Sequence, residues 1–286
     1  MKDISAPLYQ QKEKEFSYSP LRAMGAIFYW ELRLTLPRFW TQVMFLFMWL
    51  GAIVFLFLSL VDYLIETMNF INIKDFMNWQ GRGILFFVAT LGAGLIAGDR
   101  EGRSWILYFS RPIRIPHYLS AKLAVLGFYF FALIFAPTAS MICLEYLLEK
   151  EKLLFSWGHV LFAVFCCFSY TLVMVFTLGI ITLAISTFAK TRREACVIWI
   201  FCYFFSEMVY QFLTLGLSRY HTLTVWLQLL SLRRSIEVLG AWIFYPGYPD
   251  YAKAPLLAWY WPALTLGALS LFLWFWMIKR IQIELT

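Results

Sequence analysis

The sequence predicts an all-α polytopic membrane protein of six transmembrane helices, preceded by an amphipathic interfacial helix and with both termini cytoplasmic. Three observations predict it. The 286 residues are 62% hydrophobic and only 14% charged, whereas a water-soluble domain runs nearer half apolar and a quarter charged. The apolar residues are gathered in blocks such as 43–64 and 257–278, each long enough to cross a hydrocarbon layer of roughly 30 Å at about 1.5 Å per residue. The cations sit in short runs between those blocks, and the richest runs fall on alternate loops.

Residues 1–19 are polar, with Lys12, Glu13, Lys14 and Glu15, and read as a solvated cytoplasmic tail. The charged start is not followed by a short apolar core and a small-residue cleavage site, so no signal peptide is expected to be removed. Over 21–36 the pattern becomes amphipathic. At about 100° per residue, Arg22, Ala26, Tyr29 and Arg33 share one narrow face, while Leu21, Met24, Ile27, Phe28, Leu32 and Leu34 spread over the other. Such a helix lies in the membrane interface. Glu31 stands opposite Arg22, in the middle of the apolar face, and its expected partner is a cation on the cytoplasmic segment 99–117. Pro37 ends the helix, and Arg38, Phe39 and Trp40 form a cationic and aromatic belt.

The rest of a single transmembrane domain, 20–286, carries spans near 41–64, 81–98, 119–144, 157–187, 194–216 and 257–278. Charge fixes the orientation. Arg22, Arg33 and Arg38 precede span one; Arg100, Arg103, Arg111, Arg114 and Lys122 lie between spans two and three; Lys190, Arg192 and Arg193 lie between four and five; Lys279 and Arg280 follow span six. With six spans all four sets share one side, which the positive-inside rule makes cytoplasmic. The loop 217–256 is the exception on the far side, with Arg219, Arg233, Arg234 and Lys253. A seventh span there would place Arg233, Arg234 and Glu237 near the bilayer centre, at about 3 kcal/mol per basic residue. A re-entrant or interfacial outer helix over 225–244 is expected instead, ending in the turn residues Tyr245-Pro246-Gly247-Tyr248-Pro249-Asp250.

Several function classes fall away. The net charge of +7 is dispersed among loops rather than along one helix face, which suits membrane lipids and topology and not nucleic acid. Cys143, Cys166, Cys167, Cys196 and Cys202 lie in apolar stretches without CxxC or Cys/His spacing, and read as packing residues with no metal site. His117, His159 and His221 lie at or beyond span ends, which argues against a haem anchor. Asp99 and Glu101 flank Arg100 at a membrane boundary and read as docking or salt-bridge residues rather than a catalytic acid–base pair. No GxxxxGK[ST] occurs, so any ATP is handled by another chain. Glu207 is the one acidic residue well inside a span. It either lines a path or gate, or is held protonated by Ser206, Tyr210 or a neighbouring helix.

The stretch 92–122 reads differently from the rest. Gly94 and Gly98 form a GxxxG that lets another helix approach closely. Asp99-Arg100-Glu101-Gly102-Arg103 and then Ser104 to Arg114 follow, a segment ending near Pro112 that presents cations and aromatics to the cytoplasm. Here the chain resembles the membrane subunit of type-2 ATP-binding-cassette exporters. In that family span two runs into an acidic, arginine and glycine turn, then a Leu-rich Ser-Arg-Pro segment, then a lysine opening span three. The matching residues are Gly98 to Gly102, Leu107-Tyr108-Phe109-Ser110-Arg111-Pro112 and Lys122; Glu31-Leu32-Arg33 is similar to the family's approach to span one. One position departs: members often carry Gly-Thr in the turn, where Arg103 and Ser104 follow Gly102 here.

The resemblance implies a permease half that dimerises with itself or a paralogue and binds two separate ATPase subunits, in the cytoplasmic membrane of a bacterium or archaeon. Residues 99–117 would be the coupling segment, with Asp99, Arg100, Glu101, Gly102, Leu107, Arg111, Pro112 and Arg114 as ATPase-coupling residues. ATP and Mg are then expected in the partner ATPase, with no cofactor bound by this chain. The small-residue face of span two, with span five, would line the route. The alternatives are a non-transporting membrane anchor or assembly subunit, and a secondary carrier, for which only Glu207 and Pro137 offer anything.

Overall fold

A computed structural model describes residues 19–65, 73–102, 104, 108, 113–149, 157–217, 221–244 and 257–285. Among them there is no strand. The helices are α1 (Pro20–Thr35), α2 (Phe39–Ile65), α3 (Ile73–Phe87), α4 (Gly94–Glu101), α5 (Ile115–Phe130), α6 (Ala136–Glu149), α7 (Trp157–Met174), α8 (Ile180–Phe188), α9 (Arg192–Gly216), α10 (His221–Leu227), α11 (Leu232–Phe244) and α12 (Tyr260–Leu285). Short π-helices join α3 to α4 (Val88–Gly92), α5 to α6 (Phe131–Phe135) and α7 to α8 (Val175–Gly179). Among the described residues there are therefore six helices long and apolar enough to cross a membrane: Phe39–Leu58, Trp79–Glu101, Ile115–Leu144, Val160–Phe188, Arg192–Gly216 and Tyr260–Glu284. The tail 1–18 and the turn 245–250 lie outside the described residues, as do Leu107, Arg111 and Pro112.

Span two is the centre of the bundle: 76% of its apolar window is buried, against 11% for span five and 17% for span one. Its sequence explains this, because Gly92, Ala93, Gly94, Ala97 and Gly98 leave no side chain to hold neighbours away. Gly92 lies against Leu126 of α5 and Thr182 of α8; Gly179 lies against Leu123 of α5. The glycines thus bring spans two, three and four together beside their π-helical segments, where the wider turn rotates the following residues relative to the preceding ones. Four threonines inside the bundle are satisfied within their own helices. Thr171, Thr177, Thr182 and Thr187 each donate to the carbonyl four residues back, which removes a cost of several kcal/mol, in order of magnitude, for an unpaired group in hydrocarbon.

Helix α1 packs lengthwise on α5. Its buried stripe is Ile27, Glu31 and Thr35, with Met24, Phe28 and Leu32 half-buried beside it, while Leu21 and Leu34 are exposed. The apolar face read from the sequence is therefore split: the contact is centred on Glu31. Thr35 closes it with a 2.6 Å hydroxyl contact to Tyr129. Arg22, Ala26, Tyr29 and Arg33 form the exposed side.

The outer segment is two helices rather than one over 225–244. The turn Gln228–Leu230 breaks it, and Ser231 caps α11 by accepting the Arg234 N–H at 3.3 Å. At 13 residues, α11 reaches only about 20 Å and cannot cross. It packs on α7, with Gly240 against the Tyr170 ring and Phe244 edge-on to it.

Candidate functional site

The ends of α1, α4, α5, α8, α9 and α12 carry most of the described cations and meet at one end of the bundle. At its heart is Lys122, fully buried on α5. Its ammonium reaches Glu31 Oε2 of α1 at 2.6 Å, Asp99 Oδ2 of α4 at 2.7 Å and donates to the Leu95 carbonyl at 3.2 Å. Three donors meet three acceptors, so the ammonium is fully satisfied. One turn earlier on the same face of α5, the Tyr118 hydroxyl donates to Asp99 Oδ2 at 2.6 Å. The rings of Tyr108 and Tyr118 stand 5.9 and 5.5 Å from the ammonium. Burial, reinforced by Asp99 and Glu31, pushes the Tyr108 phenol well above its ordinary value, so it stays protonated. Arg38, half-buried just before span one, is lowered by burial and then by Arg192, while Glu31 and Asp99 act the other way. Two carboxylates face one ammonium, and the surrounding guanidinium groups offset the excess negative charge.

A second set of contacts ties this cluster to the other spans. Arg100 bridges Glu284 of α12 at 2.6 Å and donates to the Ala189 carbonyl at 3.2 Å. Glu101 accepts the Arg192 N–H at 3.3 Å. The Ser186 hydroxyl oxygen accepts both the Ile96 and Ala97 N–H groups at 2.9 Å, so a side chain of span four serves the first turn of α4. The GxxxG face meets a side chain as well as a helix: Gly94 and Gly98 pack against the stem and guanidinium of Arg192.

The sequence-derived residues thus separate by direction. Asp99 and Glu31 point inward to Lys122; Arg100 points sideways to span six; Glu101, Gly102, Arg114 and Arg33 are exposed at this end. The partner of Glu31 is not on the coupling segment but on α5, inside span three. Lys122 reads in the sequence only as a topology charge or a family lysine. The available signal was its place within an apolar helix, four residues after Tyr118.

Glu207 belongs to the opposite end. It is nearly buried, accepts the Ser231 hydroxyl at 2.7 Å and lies 3.7 Å from Arg234. Its partners are on the outer segment 221–244; Ser206 donates to the Tyr203 carbonyl instead, and Tyr210 lies beneath the Arg234 guanidinium at 5.4 Å. Among the described residues no group of His, Cys, Asp and Glu could hold a metal ion.

The chain belongs to the ABC-2 family of transporters: the family model described as ABC-2 family transporter protein matches residues 82–273. It is thus a permease subunit of an ABC transporter, an integral membrane protein of a class that works with ATPase subunits, and is not itself the ATPase. No curated protein matches it.

Proposed function

We propose that the chain is the membrane half of an ATP-driven exporter, that its basic end faces the cytoplasm, and that residues 99–117 receive the stroke of a separate ATPase. The observation that carries this reading is the buried cluster of Glu31, Asp99 and Lys122. Asp99 opens the coupling segment and Lys122 follows its end, so both flanks of the segment are pinned to each other and to α1. Force applied to it passes to spans two and three and to the amphipathic helix together. Arg100, through Glu284, extends the linkage to span six. The exposed groups Glu101 and Arg114, with Arg111 and Leu107 of the same segment, are the residues assigned to contact the ATPase. ATP and Mg belong to that partner, two ATPase copies and a second permease chain complete the assembly, and it resides in the cytoplasmic membrane of a bacterium or archaeon.

Co-purification tests this. Exchanging Glu101→Lys, Arg111→Glu and Arg114→Glu together is expected to release the ATPase subunit while the permease remains folded. Full retention of the ATPase would count against the assignment and favour a membrane anchor without a coupling role.

A further inference from the structure

Spans five and six each pack on α8 of span four and on the outer segment, but not along each other. A cavity of about 240 Å³ lies in the gap, bounded by Ile185 of α8, Leu229 of the outer turn, Cys202 and Ser206 of α9, and Thr265 and Leu269 of α12. The sequence supplies the room. Cys202 and Ser206 stand one helical turn apart, as small side chains in a span that otherwise carries Phe201, Phe204 and Phe205 at this level.

The wall offers water little. Trp199 Nε1 donates to Thr182 Oγ1 at 3.0 Å, Ser206 to the Tyr203 carbonyl at 2.8 Å and Thr265 to the Trp261 carbonyl at 3.1 Å, while Arg233 holds the Tyr203 phenol. A buried water needs roughly two to four polar partners, and these side chains are already committed; the Cys202 thiol is a weak donor. An apolar cavity of about 150 Å³ stays dry and takes up benzene, so this larger one suits a hydrocarbon guest. Position identifies the guest. Cys202, Leu230 and Leu269 are exposed at the rim, and Ser206 and Leu269 lie near the middle of Arg192–Gly216 and Tyr260–Glu284. The opening therefore faces the bilayer centre, where the surrounding medium is the ends of lipid chains and charged groups are excluded.

We propose that the end of a lipid acyl chain lodges in this cavity, wedged between spans five and six. The site extends beyond the transport reading and depends on neither ATPase nor cargo. The test reconstitutes the full chain in vesicles of phosphatidylcholine that carries a diazirine either at the acyl chain end or beside the ester, and maps the cross-links after illumination. Trp199 and Leu266 line the cavity but are only 3% and 5% exposed, so lipid on the outer surface cannot reach them; Phe272, 66% exposed, reports that outer lipid. The chain-end probe should label all three residues, and the ester probe should leave Trp199 and Leu266 unlabelled. Ser206→Phe and Thr265→Phe fill the cavity from opposite walls and should lose the label at Trp199 and Leu266 while keeping it at Phe272. If either variant misfolds, the wild-type pattern still decides. With the other four cysteines replaced, Cys202 should resist a charged methanethiosulfonate added from the aqueous phase. Labelling of Phe272 without Trp199 and Leu266, label retained in both filled variants, equal labelling by the ester probe, or reaction of Cys202 with the aqueous reagent would overturn the proposal.

Discussion

Lys122 shares its protons among Glu31, Asp99 and Leu95, so replacing it strands two carboxylates away from water. Lys122→Met is expected to destabilise the protein by about 3–5 kcal/mol, and adding Glu31→Gln and Asp99→Asn should restore most of the loss, because the penalty lies in uncompensated charge rather than lost attraction. Thermal unfolding of the single and triple variants decides it; an undiminished melting temperature for Lys122→Met would remove the cluster from the account. Ser186→Ala takes the acceptor from two backbone N–H groups and should cost about 1–3 kcal/mol, with faster hydrogen exchange at Ile96 and Ala97 as the local signature. At this scale the sequence is half legible. Helical spacing marks Glu31 as a charge on an apolar face and so as a residue needing a partner. It does not identify Lys122, since a cation near a span end is equally consistent with topology, and a contact between residues 91 positions apart is a property of the packed bundle.

Among the elements, spans were readable because a hydrocarbon slab demands long apolar blocks and excludes charge from them. The three π-helical turns were not. They shift the register by one residue inside blocks where nearly every position is apolar, so periodicity carries no trace of them. That the outer segment supplies no seventh span was legible from the cost of burying Arg233 and Arg234, but its break at Gln228–Leu230 arises from the cap that Ser231 provides. Packing of α11 depends on Gly240, whose added Cβ would fall 2.8 Å from the Tyr170 ring. Gly240→Val should therefore lift α11 from α7 while leaving the six spans in place. Limited proteolysis reads this as faster cleavage within 221–244, and an unchanged digestion pattern would show that the contact is dispensable.

For the whole molecule, the two ends of the bundle are built differently. At one end, cations and carboxylates from the amphipathic helix and spans two, three, five and six interlock. At the other, span five is joined to α11 through Glu207, Ser231 and Arg234. The positive-inside rule assigns the first to the cytoplasm, and the coupling account requires that an ATPase sit there. The most direct measurement places a cysteine at Arg114 in a chain whose five native cysteines are replaced, and labels it with a membrane-impermeant maleimide. The account predicts no labelling in intact cells, labelling once the cytoplasmic face is opened, and protection when the ATPase subunit is bound. Labelling from outside intact cells, or equal labelling with and without the ATPase, would contradict it.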